Sequence, residues 1–187
     1  MARLALLLIN IFLLNACEQN FTPEILNRAD VQVRTANGIS YVNTKPFSGT
    51  LIETSPIGDT LSIEPFIDGK EHGRWTKFYA RGRARELRYF DRGRKEGAYK
   101  AWWENGNPKL HYHFKEDEYD GILKEWDVNG QLVKESSYRA GYEEGTQKAW
   151  YSNGKVRSNY VVFNGRRYGL LGTKNCINVA DSIFAER

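Results

Sequence analysis

The sequence predicts an all-β chain, an elongated single-layer antiparallel β-meander of about five 24-residue β-hairpin repeats, on three observations. Glycines stand every 24 residues, at Gly49, Gly73, Gly97, Gly121, Gly145 and Gly169. A second glycine follows nine positions after each of the first five, at Gly58, Gly82, Gly106, Gly130 and Gly154. An aromatic stands five positions after the anchor in four successive copies, as Phe78, Trp102, Trp126 and Trp150. Ladders that stay in register without an insertion mark a repeat architecture, in which each unit buries its apolar surface on its neighbours. The composition agrees: 13% of the residues are aromatic, and aromatics recurring at fixed offsets suit strands.

From the N-terminus, residues 1–16 read as a lipoprotein signal peptide. Arg3 precedes an apolar run from Leu4 to Leu14 and a small residue, Ala16. At ~1.5 Å per helical residue the run covers about half of a ~30 Å hydrocarbon core, too little to span it. Leu14-Asn15-Ala16-Cys17 resembles a bacterial lipobox, which makes Cys17 the lipidation site. Several acyl chains give stable attachment where one alone binds marginally. Residues 17–37 match no repeat and are expected to form a tether, with a short helix from Pro23 to Ala29.

The repeat domain is placed at 38–176, followed by a tail at 177–187. Pro46 cannot donate to a strand ladder, so it belongs at a strand start or sheet edge. Each copy holds two strands and two turns. The first turn carries Asn105-Gly106, Asn129-Gly130 and Asn153-Gly154, the pair preferred in a two-residue type I′ hairpin with both residues at positive φ. The second strand ends on an apolar column, Phe66, Phe90, Phe114, Tyr138 and Val162. A second turn follows at Asp68-Gly69, Arg92-Gly93, Ala140-Gly141 and Asn164-Gly165, with Glu116-Asp117 in its place in one copy. At ~4.8 Å per strand a copy advances about 9–10 Å, so the array is on the order of 50 Å long. Stability has to come from neighbouring copies, with the ends acting as caps.

Gly73-Arg-Trp75, the pair Phe78-Tyr79 and the turn preceding them resemble the variant form of the MORN repeat. The opening Gly38-Ile-Ser-Tyr41 and Lys45-Pro46-Phe47-Ser48-Gly49 are similar to the start of bacterial proteins of that type. The resemblance runs over about residues 38–175. It implies the hairpin fold and a scaffold or membrane-associated binding role, or an antitoxin-like role in which the chain neutralises a partner toxin.

No phosphate-binding loop, His-Glu-x-x-His or Gly-x-Ser-x-Gly motif occurs, so no catalytic residue and no cofactor are expected. His111 and His113 fall on one strand face but lack a third partner nearby, so no metal site is expected. Glu116, Asp117, Glu118 and Asp120 read as a solvated turn without the spacing of a calcium loop. Cys176, near Lys174, reads as a small apolar residue of a capping strand rather than a reactive thiol. The net charge of +4 comes from mixed acids and bases, without a nucleic-acid footprint.

Phe78, Trp102, Trp126 and Trp150 form the candidate binding surface, for a glycan or an extended peptide. Core packing is the expected role of the same four side chains. The resulting expectation is a lipid-anchored protein of the cell envelope. It is held to a membrane by its lipid, binds another protein but no nucleic acid, and acts as a non-enzymatic interaction or scaffold platform.

Overall fold

In the computed structural model, which describes residues 24–172, the chain is a run of antiparallel hairpins. The N-terminal part passes through β1 (Glu24–Asn27), a 3-10 turn, β2 (Val33–Ala36), β3 (Ile39–Val42) and β4 (Lys45–Pro46). The hairpins follow: β5 (Gly49–Thr54) with β6 (Thr60–Ile67), then β7 (Lys70–Glu71) leading into β8 (Gly73–Phe78) with β9 (Ala84–Asp91). Next come β10 (Arg94–Lys95) into β11 (Gly97–Trp102) with β12 (Pro108–Lys115), and β13 (Glu118–Tyr119) into β14 (Gly121–Trp126) with β15 (Leu132–Arg139). The run ends with β16 (Tyr142–Trp150), β17 (Val156–Phe163) and β18 (Arg166–Leu170). From β5 to β18 the long strands pair in sequence order, as a meander must.

The two turns divide the chemistry differently from the Asn-Gly expectation. Positive φ at two successive residues occurs in the second turn, at Asp68-Gly69, Arg92-Gly93, Glu116-Asp117, Ala140-Gly141 and Asn164-Gly165. In the first turn the glycine alone is left-handed at Gly58, Gly106, Gly130 and Gly154, while Arg81 joins Gly82 in the second copy. Gly106 N–H donates to Trp103 C=O at 2.9 Å and Trp103 N–H to Asn107 C=O at 2.8 Å. That is a three-residue loop with the glycine in the left-handed position. In two copies the asparagine serves through its side chain instead, Asn105 Oδ1 accepting from Asn107 N–H and Asn153 Oδ1 from Lys155 N–H, both at 3.0 Å, whereas Asp127 Oδ1 accepts from Asn129 N–H and Gln131 N–H at 2.9 Å in the copy between them.

The anchor glycines, φ 75° at Gly73 and 71° at Gly97, sit where the chain bulges. Phe66 pairs with Glu71 on one side of Gly73 and Ser62 with Lys77 on the other, a shift of two residues in register. A positive φ at this bulge is what demands glycine once per copy.

Successive copies are stitched together at both rows of turns. At the second turns, Gly93 N–H donates to Glu71 C=O (2.7 Å), Asp117 N–H to Lys95 C=O (3.0 Å) and Gly141 N–H to Tyr119 C=O (2.9 Å). The residue before each anchor accepts there as well: Ser48 Oγ from Asp68 N–H at 2.8 Å, His72 Nδ1 from Arg92 N–H at 3.4 Å, and Glu96 Oε2 from Glu116 N–H at 2.9 Å. At the first turns, Tyr79 Oη donates to Trp102 C=O at 3.0 Å and Trp103 Nε1 to Trp126 C=O at 3.1 Å.

The expected tether is folded over its described part. Residues Glu24–Asn27 make a strand, not a helix, and pair in parallel with β5, covering the first edge of the sheet. β2, β3 and β4 form a small second sheet with Pro46 on its edge strand. Val42 and Phe47 from this sheet and its flank pack with Leu51 and Phe66 of the first repeat, backed by Leu26, Val31, Val33 and Trp75. An array end without a neighbour exposes apolar surface and free edge groups, and this segment covers both. Gly69 shows how close the approach is, since a Cβ there would stand 2.5 Å from Ile39 Cγ2 and 2.7 Å from Ser40 C=O.

Candidate interaction surface

Residues paired directly across strands share a face, and successive residues along a strand change face. One face carries the column Phe66, Phe90, Phe114, Tyr138 and Val162, all buried except the half-buried Tyr138. Beside it run Leu51, Trp75, Tyr99, Leu123 and Gln147, placed there by the pairs Leu51–Glu64, Trp75–Arg88, Tyr99–Tyr112, Leu123–Ser136 and Gln147–Tyr160. The rings interlock along the array: Phe66–Trp75 at 5.3 Å, Trp75–Phe90 at 5.2 Å, Phe114–Tyr119 at 4.8 Å and Tyr119–Tyr138 at 5.3 Å between centroids. Such tilted pairs add to the burial of the rings. This is the core face.

Several of its polar groups pair with one another, although Ser62 Oγ and Gln147 Oε1 are buried without a hydrogen-bond partner among the described residues. Tyr112 Oη donates to Glu125 Oε1 at 2.9 Å, Arg167 meets Glu143 at 2.9 Å, and Arg28 of the N-terminal segment pairs with the buried Glu64. Burial pushes the Tyr112, Tyr99 and Tyr138 hydroxyls above the usual phenol range, with the Glu125 hydrogen bond adding to the effect at Tyr112. Glu71 is likewise raised, first by burial and then by the Glu64 carboxylate. A shallow recess of about 240 Å³ opens here between Glu71, Trp75, Lys77, Glu86, Arg88 and Phe90.

Among the described residues the opposite face has no second layer over it. Across it runs an unbroken row of paired residues: Ile52, Ile63, Thr76, Leu87, Lys100, His111, Lys124, Glu135, Lys148 and Asn159. A second row, including Tyr89, His113, Ile122 and Val161, lies beside it, with Ile122 57% exposed and Val161 43% exposed. Phe78, Trp102, Trp126 and Trp150 stand two positions beyond Thr76, Lys100, Lys124 and Lys148, so they share this face. All four are half-buried. The partner strand takes the extra residue at each of these positions, as between Ala101–Leu110 and Trp102–Pro108, so the aromatic column itself keeps its alternation.

The core column is therefore the one that ends the second strands, and the four candidate residues belong to the other side of the sheet. His111 and His113 lie on that open side; among the described residues no third metal ligand joins them. Partial desolvation, then the charges of Lys100, His113 and Lys124, hold the His111 imidazole below its ordinary value. Glu116 and Asp117 are the positive-φ pair of a second turn. Among the described residues no helix is long and apolar enough to cross a membrane. Cys17, Lys174 and Cys176 lie outside the described residues.

Comparison with known proteins gives a repeat family and similar solved structures. No curated protein matches the chain. A solved structure titled "Crystal Structure of TarM" is similar over 58% of this chain and 21% of its own length, at 17% identity and a TM-score of 0.32. The MORN repeat variant matches three consecutive segments, residues 95–116, 119–140 and 143–160. These segments coincide with the hairpins β11–β12, β14–β15 and β16–β17, and the copies before them repeat the same pairings, bulges and turns. The chain thus carries MORN repeats of the variant form, three of them in succession across residues 95–160.

Proposed function

We propose that this chain is a non-enzymatic interaction platform of the cell envelope, attached to a membrane by lipid on Cys17 and engaging its partner through the open face of its repeat sheet. MORN repeats in general serve as protein- or membrane-interaction modules, and the reading rests on one observation about this array. Over the hairpins from β11 to β17 nothing among the described residues covers the open face, which nevertheless carries half-buried Trp102, Trp126 and Trp150 and an exposed Ile122. Water-facing aromatic and aliphatic surface repeated on one side of a rigid sheet costs solubility and suits a docking surface. On the other face Tyr112, Glu125, Glu143 and Arg167 are engaged in internal hydrogen bonds and ion pairs.

A photo-crosslinking residue at Ile122 in the full chain, expressed in its own cells, tests the platform. One discrete adduct is expected from Ile122, and none from the same residue placed at Glu104 in a first turn. Equal labelling from both positions would count against a docking face. Cys17→Ser tests the anchor: the variant is expected in the soluble fraction, and retention on membranes after a salt wash would remove lipidation from the account.

A further inference from the structure

The open face carries a surplus of positive charge beside its aromatics. In the row that crosses the sheet, Lys100, His111, Lys124 and Lys148 follow one another with Glu135 as the single carboxylate. Glu135 pairs with Lys124 at 3.1 Å. Among the described residues Lys100 and Lys148 form no ion pair. The neighbouring row, with His113, Ile122 and Val161, adds no acid. Glu125 and Glu143 of these repeats sit on the core face instead. Each Lys stands two residues from a Trp on the same strand: Lys100 with Trp102, Lys124 with Trp126 and Lys148 with Trp150. The pairs recur every second strand, about 9–10 Å apart. An open depression of about 210 Å³ lies at the last pair, bounded by Lys148, Trp150, Val156, Ser158 and Asn159.

We infer that this face binds a linear acidic polysaccharide, with Trp102, Trp126 and Trp150 stacking on sugar rings and Lys100, Lys124 and Lys148 facing its carboxylates. The inference rests on the platform reading above and names its partner. Sugar rings present apolar C–H faces to an indole and keep their hydroxyls at the rim, which fits half-buried rings on a flat sheet. The 9–10 Å period of the pairs is of the order of a disaccharide in an extended chain. An extended peptide fits less well, because the backbone groups in the middle of this sheet are already paired and the peptide's own amides would be buried without partners. A polynucleotide fits less well too: its charge on every unit calls for a denser column of cations than a surplus of Lys100 and Lys148 with His111 between them.

The test uses the full chain against immobilised hyaluronan, polygalacturonate and alginate. Neutral chito-oligosaccharides, an oligo-dT strand and vesicles of phosphatidylglycerol in phosphatidylcholine serve as comparisons. At least one acidic polysaccharide is expected to bind at least tenfold more tightly than the neutral sugar, with affinity falling as salt rises. The double variant Lys100→Gln/Lys148→Gln is expected to lose about tenfold and to flatten the salt dependence, and Trp150→Ala to lose a similar factor. Each variant's melting curve shows whether it is folded, and Trp150→Phe, which keeps a stacking ring, is expected to retain most of the binding. Preference for oligo-dT or for the vesicles would overturn the polysaccharide and leave the platform standing. So would binding to acidic polysaccharides that survives both the lysine and the tryptophan changes. Absence of binding to every probe, together with no adduct from Ile122, would overturn both.

Discussion

Replacing Phe114 by alanine and, separately, Trp126 by alanine distinguishes the two aromatic columns by their cost to stability. Phe114 is 7% exposed, with Tyr119 at 4.8 Å, Tyr99 at 6.4 Å and the Lys95 ammonium 5.4 Å over its ring. Its removal leaves a gap that these partners, fixed by their own strands, cannot close, so the cost is about 3 kcal/mol, at the low end for a core Phe because the sheet is one layer thick. At ~2–4 °C per kcal/mol in a chain of this size, the midpoint falls by roughly 6–12 °C. Trp126 is larger, yet it is only half-buried on the open sheet. Its truncation forfeits only part of the transfer term, about 1 kcal/mol or roughly 2–4 °C. The expectation from sequence that Trp126 is core thereby reverses in rank. Thermal melts followed by circular dichroism measure both. A Trp126→Ala midpoint as low as that of Phe114→Ala, or lower, would refute the assignment of the two faces.

Gly130→Val forces a β-branched residue to φ near 84°, with its Cβ 3.4 Å from Asn107 Nδ2. A destabilisation of about 1–3 kcal/mol is expected, and hydrogen exchange should rise mainly in the hairpins beside it; a uniform rise along the chain would contradict a repeat array. Glu71 has its carboxyl raised from 4.5 by burial and by Glu64, so the folded chain holds that proton more tightly than the unfolded one. Stability from this group is therefore fully present below the unfolded pKa and is lost as pH rises through the raised folded value. Glu71→Gln should raise the melting temperature at neutral pH and narrow the gain that the parent protein shows on acidification toward 4.5. An unchanged pH profile would remove Glu71 as the cause.

The repeat period, the strand order and the second-turn pairs were legible in the sequence because each position recurs. Glycine every 24 residues and the Asp-Gly or Ala-Gly pairs report backbone requirements that no other residue meets cheaply. The use of Asn105 and Asn153 was not legible, since an Asn-Gly pair serves a two-residue turn through φ and a three-residue turn through the Asn side chain, and only the hydrogen bonds distinguish them. Which aromatic column is buried was equally hidden. Two columns of similar size occupy opposite faces, and the alternation that separates them does not say which face closes. The short strands β10 and β13 tip the balance, because Lys95 and Tyr119 pair with Phe90 and Phe114 and lie over the core face. Residues 24–36 escaped because a cap, having no copy of itself, leaves no period. The lysine row on the open face had a signal in the sequence, Lys100, Lys124 and Lys148 at the repeat interval, but its meaning depends on the register that places it beside the tryptophans.

Hydroxyl-radical footprinting of the full chain, free and with the acidic polysaccharide that binds best, tests the open face most directly. In the free protein Trp102, Trp126 and Trp150 are expected to oxidise readily, while Phe114 and Phe90 of the core face stay protected. Addition of the polysaccharide should protect the three tryptophans and leave the exposed Tyr142 unchanged. Tryptophans already protected in the free chain, or protection that falls on Tyr99 and Tyr112 instead, would place the binding surface on the wrong side of the sheet and contradict the account.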